Sequence, residues 1–134
     1  MQQQINSIIM DVDTGEDDAL AIILALSRNM PVRAILASYG NTSLAHAAQN
    51  TMDILHMMKR SDIPVVYGSH APLVPHPLEA QPSAGAFVGV NGLCGVTLQS
   101  APNPNRIGSD TVFEIDALWR IIQKNAPVDY ILTG

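Results

Sequence analysis

The 134-residue sequence predicts an α/β fold with a parallel, Rossmann-like sheet and helical crossovers. Two observations predict this fold. The first is a series of short apolar runs along the chain, and the second is that longer segments, in which apolar residues recur at helical spacing, alternate with these runs. Alternation of strand and helix is the pattern of βαβ units, whose strands lie parallel in one sheet. Such sheets bind their ligands at the carboxyl ends of the strands.

The predicted elements follow one another along the chain: strands at 5–12, 32–38, 64–67 and Val128–Leu132, and helices at 17–28, 43–60 and 111–124. Pro31 breaks the chain after the first helix. Thr42 or Ser43 can cap the second helix, and Thr111 with Glu114 fits a capping box for the third. Segment 68–108 is rich in proline and glycine and is predicted to be a long loop.

Each predicted helix carries a stripe that we expect to face the core. The stripes are Leu20, Ile23, Leu24 and Ser27; Leu44, Ala47, Ala48, Thr51, Ile54, Leu55 and Met58; and Ile115, Leu118, Trp119 and Ile122. This spacing is typical of amphipathic helices packed on a sheet.

The composition limits the class of protein. The chain is 47% hydrophobic and has seven Lys and Arg in total, so a core is expected and nucleic-acid binding is not. No apolar run reaches the roughly 20 residues that a membrane span needs, and no signal peptide is apparent. The single cysteine, Cys94, suits a reducing compartment and is expected to be a small buried side chain. We therefore expect a soluble cytoplasmic protein.

An acidic segment, residues 11–18, follows the first strand and holds Asp11, Asp13, Glu16, Asp17 and Asp18, five of the twelve acidic residues. Carboxylates about 4 Å apart repel by roughly 4 kcal/mol at an effective dielectric of about 20. A divalent cation would offset that repulsion. Capping of the first helix explains two or three of the acids at 16–18 without any function, because acids favour the first turn. It does not explain Asp11 and Asp13, whose i, i+2 spacing aims both side chains the same way.

Several motifs of this chain resemble those of the inosine–uridine-preferring nucleoside hydrolases. They are Asp11-x-Asp13-x-Gly15-x-Asp17-Asp18-Ala19, Tyr39-Gly40-Asn41-Thr42-x-Leu44, Asn50, Ile54-Leu55, Ile63-Pro64-Val65-x-Tyr67-Gly68, Pro72-Leu73, Gly89-x-Asn91-Gly92-Leu93 and Thr133-Gly134. The motifs occur in the family's order over the whole chain. The resemblance implies hydrolysis of the N-glycosidic bond of ribonucleosides to ribose and free base.

The resemblance also implies a calcium site. Asp13 would bind calcium and act as general base on a calcium-bound water, and Asp18 would bind the same ion. Thr133 would offer its main-chain carbonyl to the ion, and Asp11 would support the cluster from behind. Oxygen ligands of this kind suit calcium, which accepts six to eight of them.

The substrate roles implied by the resemblance fall on Asp17 and Asn41, which would bind the ribose hydroxyls. An enzyme of this class takes a nucleoside as its partner and is expected to be a homodimer or homotetramer. Val88 stands where the family often has a histidine, which leaves base preference open. The chain is expected to be the N-terminal part, residues 1–134, of a single larger domain and to be inactive alone.

Two other functions remain possible from the sequence. Asp11 and Asp13 also resemble the nucleophile and general acid of haloacid-dehalogenase-type phosphatases, which use magnesium. Alternatively, the chain is an inactive, truncated calcium-binding fragment.

Overall fold

The computed structural model describes residues 5–74, 88–100, 102, 105–109 and 114–133. Five strands form one sheet in the order β4-β3-β2-β1-β5, and every neighbouring pair is parallel. The strands are β1 Ser7–Val12, β2 Val32–Ala37, β3 Val65–Tyr67, β4 Arg106–Ile107 and β5 Val128–Leu132. The helices are α1 Glu16–Ser27, α2 Leu44–Met57 and α3 Ile115–Asn125. The predicted parallel α/β fold is therefore confirmed.

The strand order creates a switch point beside β1. The chain leaves β1 toward β2, β3 and β4 on one side, and then crosses to β5 on the other side. Ligands of open parallel sheets bind where the strand order reverses in this way. The register places Asp11 level with Leu36 of β2 and Leu132 of β5, so the segments that follow these strands leave the sheet at one edge.

The two faces of the sheet are covered by different helices. Alternate residues of β1 point to opposite faces, and Ile8, Met10 and Val12 belong to the core cluster that α1 and α2 cover. Ile9 lies in the smaller cluster on the opposite face, together with Leu118 of α3. Among the described residues, no helix has the length and apolarity that a membrane crossing requires.

The predicted buried stripe is right for α2 and largely wrong for α1. Helix α2 buries all of the predicted residues except the half-buried Met58, which packs against the core. Helix α1 instead buries Asp18, Ile22, Ala25 and Leu26, and Leu20 and Leu24 are exposed. Every position from Ala19 to Leu26 is apolar, so the periodicity of this helix is weak and does not select a face.

Helix α3 and the long loop also differ from the predictions. Leu118 is buried as expected, but Ile115 and Trp119 are exposed. The helix begins after Glu114, whose side chain makes no capping hydrogen bond, and Thr111 lies outside the described residues. Strand β4 lies within the segment predicted to be a loop, because two residues are too few to carry a strand pattern.

Candidate active site

Asp13 lies at the switch point and is held by the loop after β2. Its carboxylate accepts hydrogen bonds from the main-chain N–H of Asn41, at 2.6 Å, and from the Asn41 side-chain amide, at 3.2 Å. Gly40 lets the two loops come this close, because a Cβ there would lie 2.1 Å from Asp13 Oδ2. The structure thus brings together Asp13 and Asn41, which the sequence predicts to be site residues.

Asp18 is buried beside Asp13. One carboxylate oxygen accepts the Gly15 N–H at 3.2 Å, and the other accepts the Thr133 hydroxyl. Burial raises the pKa of Asp18 from 3.8 to about 6, and the nearby Asp13 carboxylate, which is within hydrogen-bonding distance, adds to the increase. The contact with Gly15 is that of a helix cap, so the capping interpretation holds for Asp18 without explaining its closeness to Asp13.

Asp11 lies at the same edge of the sheet and contacts residues at the end of β5. Its carboxylate accepts a hydrogen bond from the Tyr130 hydroxyl at 2.9 Å, and its main-chain carbonyl accepts the Thr133 N–H at 3.0 Å. Burial raises the pKa of Asp11, and the hydrogen bond from Tyr130 partly counters that effect. Asp11 therefore ties the end of β1 to β5.

Among the described side chains, no cationic group is paired with the neighbouring carboxylates of Asp13 and Asp18. Within the described ranges, the ion pair that the structure records is Arg60–Asp62, on the surface. No three Asp, Glu, His or Cys side chains in those ranges are placed to hold a metal ion. The available donors are thus two carboxylates and the oxygens of Thr133. Hard oxygen ligands of this kind suit calcium, but their number is below the six to eight that calcium takes.

Asp17 and Glu16 lie at the exposed start of α1. Asp17 and Asn41 flank Gly15, because the Asp17 Oδ1 and Asn41 Nδ2 atoms lie 3.2 and 2.7 Å from the position a Cβ would take there. The two predicted ribose-binding side chains are therefore brought together on the solvent side. Glu16 instead accepts a hydrogen bond from the Cys94 thiol at 2.7 Å.

The expectation that Cys94 is buried is wrong. Cys94 is exposed, has a φ of 50°, and lies in the glycine-rich loop. The hydrogen bond to Glu16 raises the pKa of its thiol. Its neighbour Leu93 is buried instead, and the residue type alone does not reveal which side chain of the loop faces solvent.

A cleft of about 320 Å³ opens next to Asp11 and Asp13. Val12 of β1 also lines it, and its other walls come from the loops after β2 and β3 and are formed by Ser38, Tyr39, Ser69, Ala71, Pro72 and Leu73. The mixture of carboxylates, hydroxyls and apolar groups can accept a ligand that is polar at one end and flat or apolar at the other.

Sequence reasoning missed a buried polar network behind the site. Thr51 donates to the Ala47 carbonyl at 2.8 Å, so the 2.7 Å contact between the two hydroxyls has Thr14 as donor and Thr51 as acceptor. Asn50 donates to the Thr14 carbonyl at 3.1 Å. Thr51 belongs to the predicted stripe of α2 and Asn50 is adjacent to it, so polar residues on that buried face were the available signal.

The fold and the site define a parallel α/β protein with an oxygen-rich ligand site at the switch point of its sheet. Comparison with known proteins assigns that class to a family. The chain belongs to the inosine-uridine preferring nucleoside hydrolases, whose sequence profile matches residues 8–134. The resemblance predicted from the motifs is confirmed, and the match disfavours the phosphatase alternative.

Individual relatives cover nearly all of this chain. It is 33% identical over 129 residues to the pyrimidine-specific ribonucleoside hydrolase RihA of Salmonella arizonae. A purine-preferring ribonucleoside hydrolase from Gardnerella vaginalis has a structure similar to 96% of the chain, with a TM-score of 0.80 and 26% identity. The plant nucleoside hydrolase PpNRh1 matches 98% of the chain, with a TM-score of 0.77 and 27% identity.

The chain covers much less of these relatives than they cover of it. It spans 39% of the Salmonella enzyme and 40% of each of the two solved structures. The relatives also differ in the preference that their names state, since one is pyrimidine-specific and another purine-preferring. The similarity therefore does not select a base.

Proposed function

We propose that this chain contributes the nucleophile-activating and ribose-binding part of a ribonucleoside hydrolase, which releases ribose and a free base. The observation that carries the proposal is the close pair of Asp13 and Asp18, which has no cationic partner among the described side chains and lies at the switch point beside a cleft. A pair of this kind is expected to bind a cation and to take up a proton.

The proposed cation is calcium. Asp13, Asp18 and the Thr133 main-chain carbonyl would hold it, and further oxygens must come from water or from outside the described residues, because calcium takes six to eight. When bound, the ion would supply positive charge that lowers the pKa of a neighbouring water. The raised pKa of Asp18 supports the proposal, because burial, with a smaller contribution from Asp13, makes the negative charge of Asp18 costly without a counter-charge.

The residues of this chain would divide the remaining work. Asp13 would take the proton from the attacking water, since the two N–H groups of Asn41 fix its carboxylate in one orientation. Asp17 and the Asn41 amide would hold ribose hydroxyls from the solvent side. Negative charge around the sugar would stabilise a transition state of oxocarbenium character, which glycoside cleavage develops. The base would extend into the cleft bounded by Tyr39 and Leu73.

A calcium-binding fragment without activity of its own is the second candidate, and the small share of each relative that the chain spans favours it. The first proposal includes four further properties of the enzyme. It is homo-oligomeric, cytoplasmic and part of nucleoside salvage, and residues 1–134 belong to its single domain. Size-exclusion chromatography with light scattering tests the oligomeric state.

The deciding experiment measures calcium binding by titration calorimetry and ribose release from inosine and uridine. It uses wild-type protein, Asp13→Asn, and Asp116→Asn as a control that removes an exposed carboxylate on α3. We expect Asp13→Asn to lower turnover by about 10²–10⁴-fold, the usual loss when a general base is removed. Calcium binding without turnover in the wild type would favour the fragment. Turnover in Asp13→Asn within threefold of the wild type would exclude Asp13 as the base.

A further inference from the structure

The glycine-rich loop, residues 88–96, has an internal scaffold that Asn91 builds. The Asn91 side-chain oxygen accepts the N–H groups of Leu93 and Gly95 at 3.1 and 3.2 Å, and its amide donates to the Val96 carbonyl at 2.8 Å. The Cys94 N–H also donates to the Val88 carbonyl at 2.7 Å. The loop therefore has an internal scaffold, and its order also depends on a few contacts with the rest of the protein.

Asn50 of α2 makes the most direct of these contacts. Its side-chain amide donates one hydrogen bond to the Asn91 carbonyl at 2.7 Å and another to the Thr14 carbonyl at 3.1 Å. Asn50 is 8% exposed, so water does not readily replace either bond. One NH₂ group thus ties the loop and the acidic segment to the same point on a rigid helix.

A second contact and the shape of the chain bring the loop close to the acidic segment. The Thr42 hydroxyl donates to the Val90 carbonyl at 2.7 Å. Gly92 has a φ of 79°, and a Cβ there would lie 3.0 Å from Thr42 Cγ2 and 3.3 Å from the Thr14 carbonyl oxygen. The loop backbone therefore packs directly against the residue that follows Asp13.

We propose that Asn50 is a positioning residue, which fixes the glycine-rich loop at a set height over the acidic segment through the paired hydrogen bonds to Asn91 and Thr14. The consequence for nucleoside binding rests on the proposed function, because the loop borders the site that Asp13 forms. The described hydrogen bonds of Asn50 go to the carbonyls of Asn91 and Thr14 and not to the carboxylates of Asp13 or Asp18. Removal of the Asn50 amide is therefore expected to release the loop and leave cation binding intact.

The test is amide hydrogen exchange by NMR on Asn50→Leu, which keeps the size of the side chain and removes both donors. Asn125→Leu is the matched control, because it makes the same substitution on α3 and removes a local bond to the Ile121 carbonyl. We expect the amides of Gly92, Cys94 and Gly95 to exchange on the order of tenfold faster in Asn50→Leu, because the side chain loses both of its hydrogen bonds. Amides of the sheet core should stay within twofold of the wild type.

Two results would overturn the proposal. In the first, the loop amides exchange no faster in Asn50→Leu than in Asn125→Leu. In the second, all amides exchange faster together, which is the pattern of a residue that only stabilises the fold. If Asn50→Leu does not fold, Asn50→Asp serves, because it keeps the shape and polarity of the side chain but has no N–H to donate.

Measurements of nucleoside binding distinguish a failure of this proposal from a failure of the proposed function. In a form that binds nucleosides, Asn50→Leu should keep calcium affinity within twofold and weaken nucleoside binding by about tenfold. If the wild type binds no nucleoside, the proposed function fails, and the exchange result still decides whether Asn50 positions the loop. If nucleoside binding is unchanged although the loop is released, the positioning role toward the substrate is wrong.

Discussion

Replacing Asp18 with Asn should separate stability from cation binding and move them in opposite directions. Asp18 is fully buried, and its pKa is raised from 3.8 to about 6. A carboxyl whose pKa is raised in the folded state binds its proton more tightly there than in the unfolded chain. The cation-free fold therefore keeps its full stability below about pH 4 and loses part of it as the pH rises toward 6 and above.

The size of the effect follows from the same values. The difference between 3.8 and about 6 corresponds to about 3 kcal/mol against the ionised form, since one pKa unit is about 1.4 kcal/mol. An amide at position 18 has no charge, can still accept the Gly15 N–H or the Thr133 hydroxyl, and can donate to Asp13. We expect Asp18→Asn to raise the free energy of unfolding at pH 8 without calcium by about 2–3 kcal/mol, and to change little at pH 4.

The assay is urea unfolding at pH 4 and pH 8, with chelator and with excess calcium, on wild type, Asp18→Asn and Asp116→Asn. Calcium should stabilise the wild type at pH 8 and have little effect on Asp18→Asn. The exposed control should respond to calcium like the wild type. A loss of stability in Asp18→Asn at pH 8 without calcium, or an undiminished calcium response, would refute the reasoning.

Three further outcomes are expected. Gly40→Ala should weaken calcium binding at least about tenfold in calorimetry, because its Cβ would displace Asp13. The control is Gly95→Ala, at a position where the space is open but φ is 79°. It should lower the free energy of unfolding by about 1 kcal/mol and leave calcium binding unchanged. Thr51→Val should lower the free energy of unfolding by about 1–3 kcal/mol in urea, because it leaves the buried Thr14 hydroxyl without its acceptor, whereas Thr51→Ser should be nearly neutral. Calcium affinity should fall as the pH drops below about 6, because the buried carboxyl of the pair then binds a proton; a flat profile from pH 5 to 8 would contradict this.

The sheet and the acidic edge could be predicted from sequence because both depend on local patterns. Apolar runs located all four predicted strands, and parallel strands necessarily place the segments after them at one edge. That argument brought together the residues after β1, β2 and β5, and the structure places Asp13, Asn41 and Thr133 there. Whether these residues bind calcium and ribose stays a prediction.

The contacts that tune the site could not be predicted, because no sequence pattern links the residues that they join. Tyr130 reaches Asp11 across 119 positions, and Asn50 reaches Asn91 across 41. Neither pair has a sequence pattern, since each depends on strand order and on the packing of α2. The buried face of α1 failed for a different reason: a helix that is apolar on nearly all sides does not reveal which side packs.

The two central carboxylates are held from different parts of the fold. Asn41, from the loop after β2, orients Asp13, whereas Thr133, from the end of β5, contacts Asp18. Strands β2 and β5 pair with opposite sides of β1. The Gly15 N–H already fixes Asp18 at the start of α1, so the pairing of β5 with β1 adds the Thr133 contact to a carboxylate that is in place. Because Asp13, Asp18 and the Thr133 carbonyl would hold the proposed cation together, its binding would stabilise the β1–β5 pairing as well as the site, and amide exchange at β5 should slow when calcium binds.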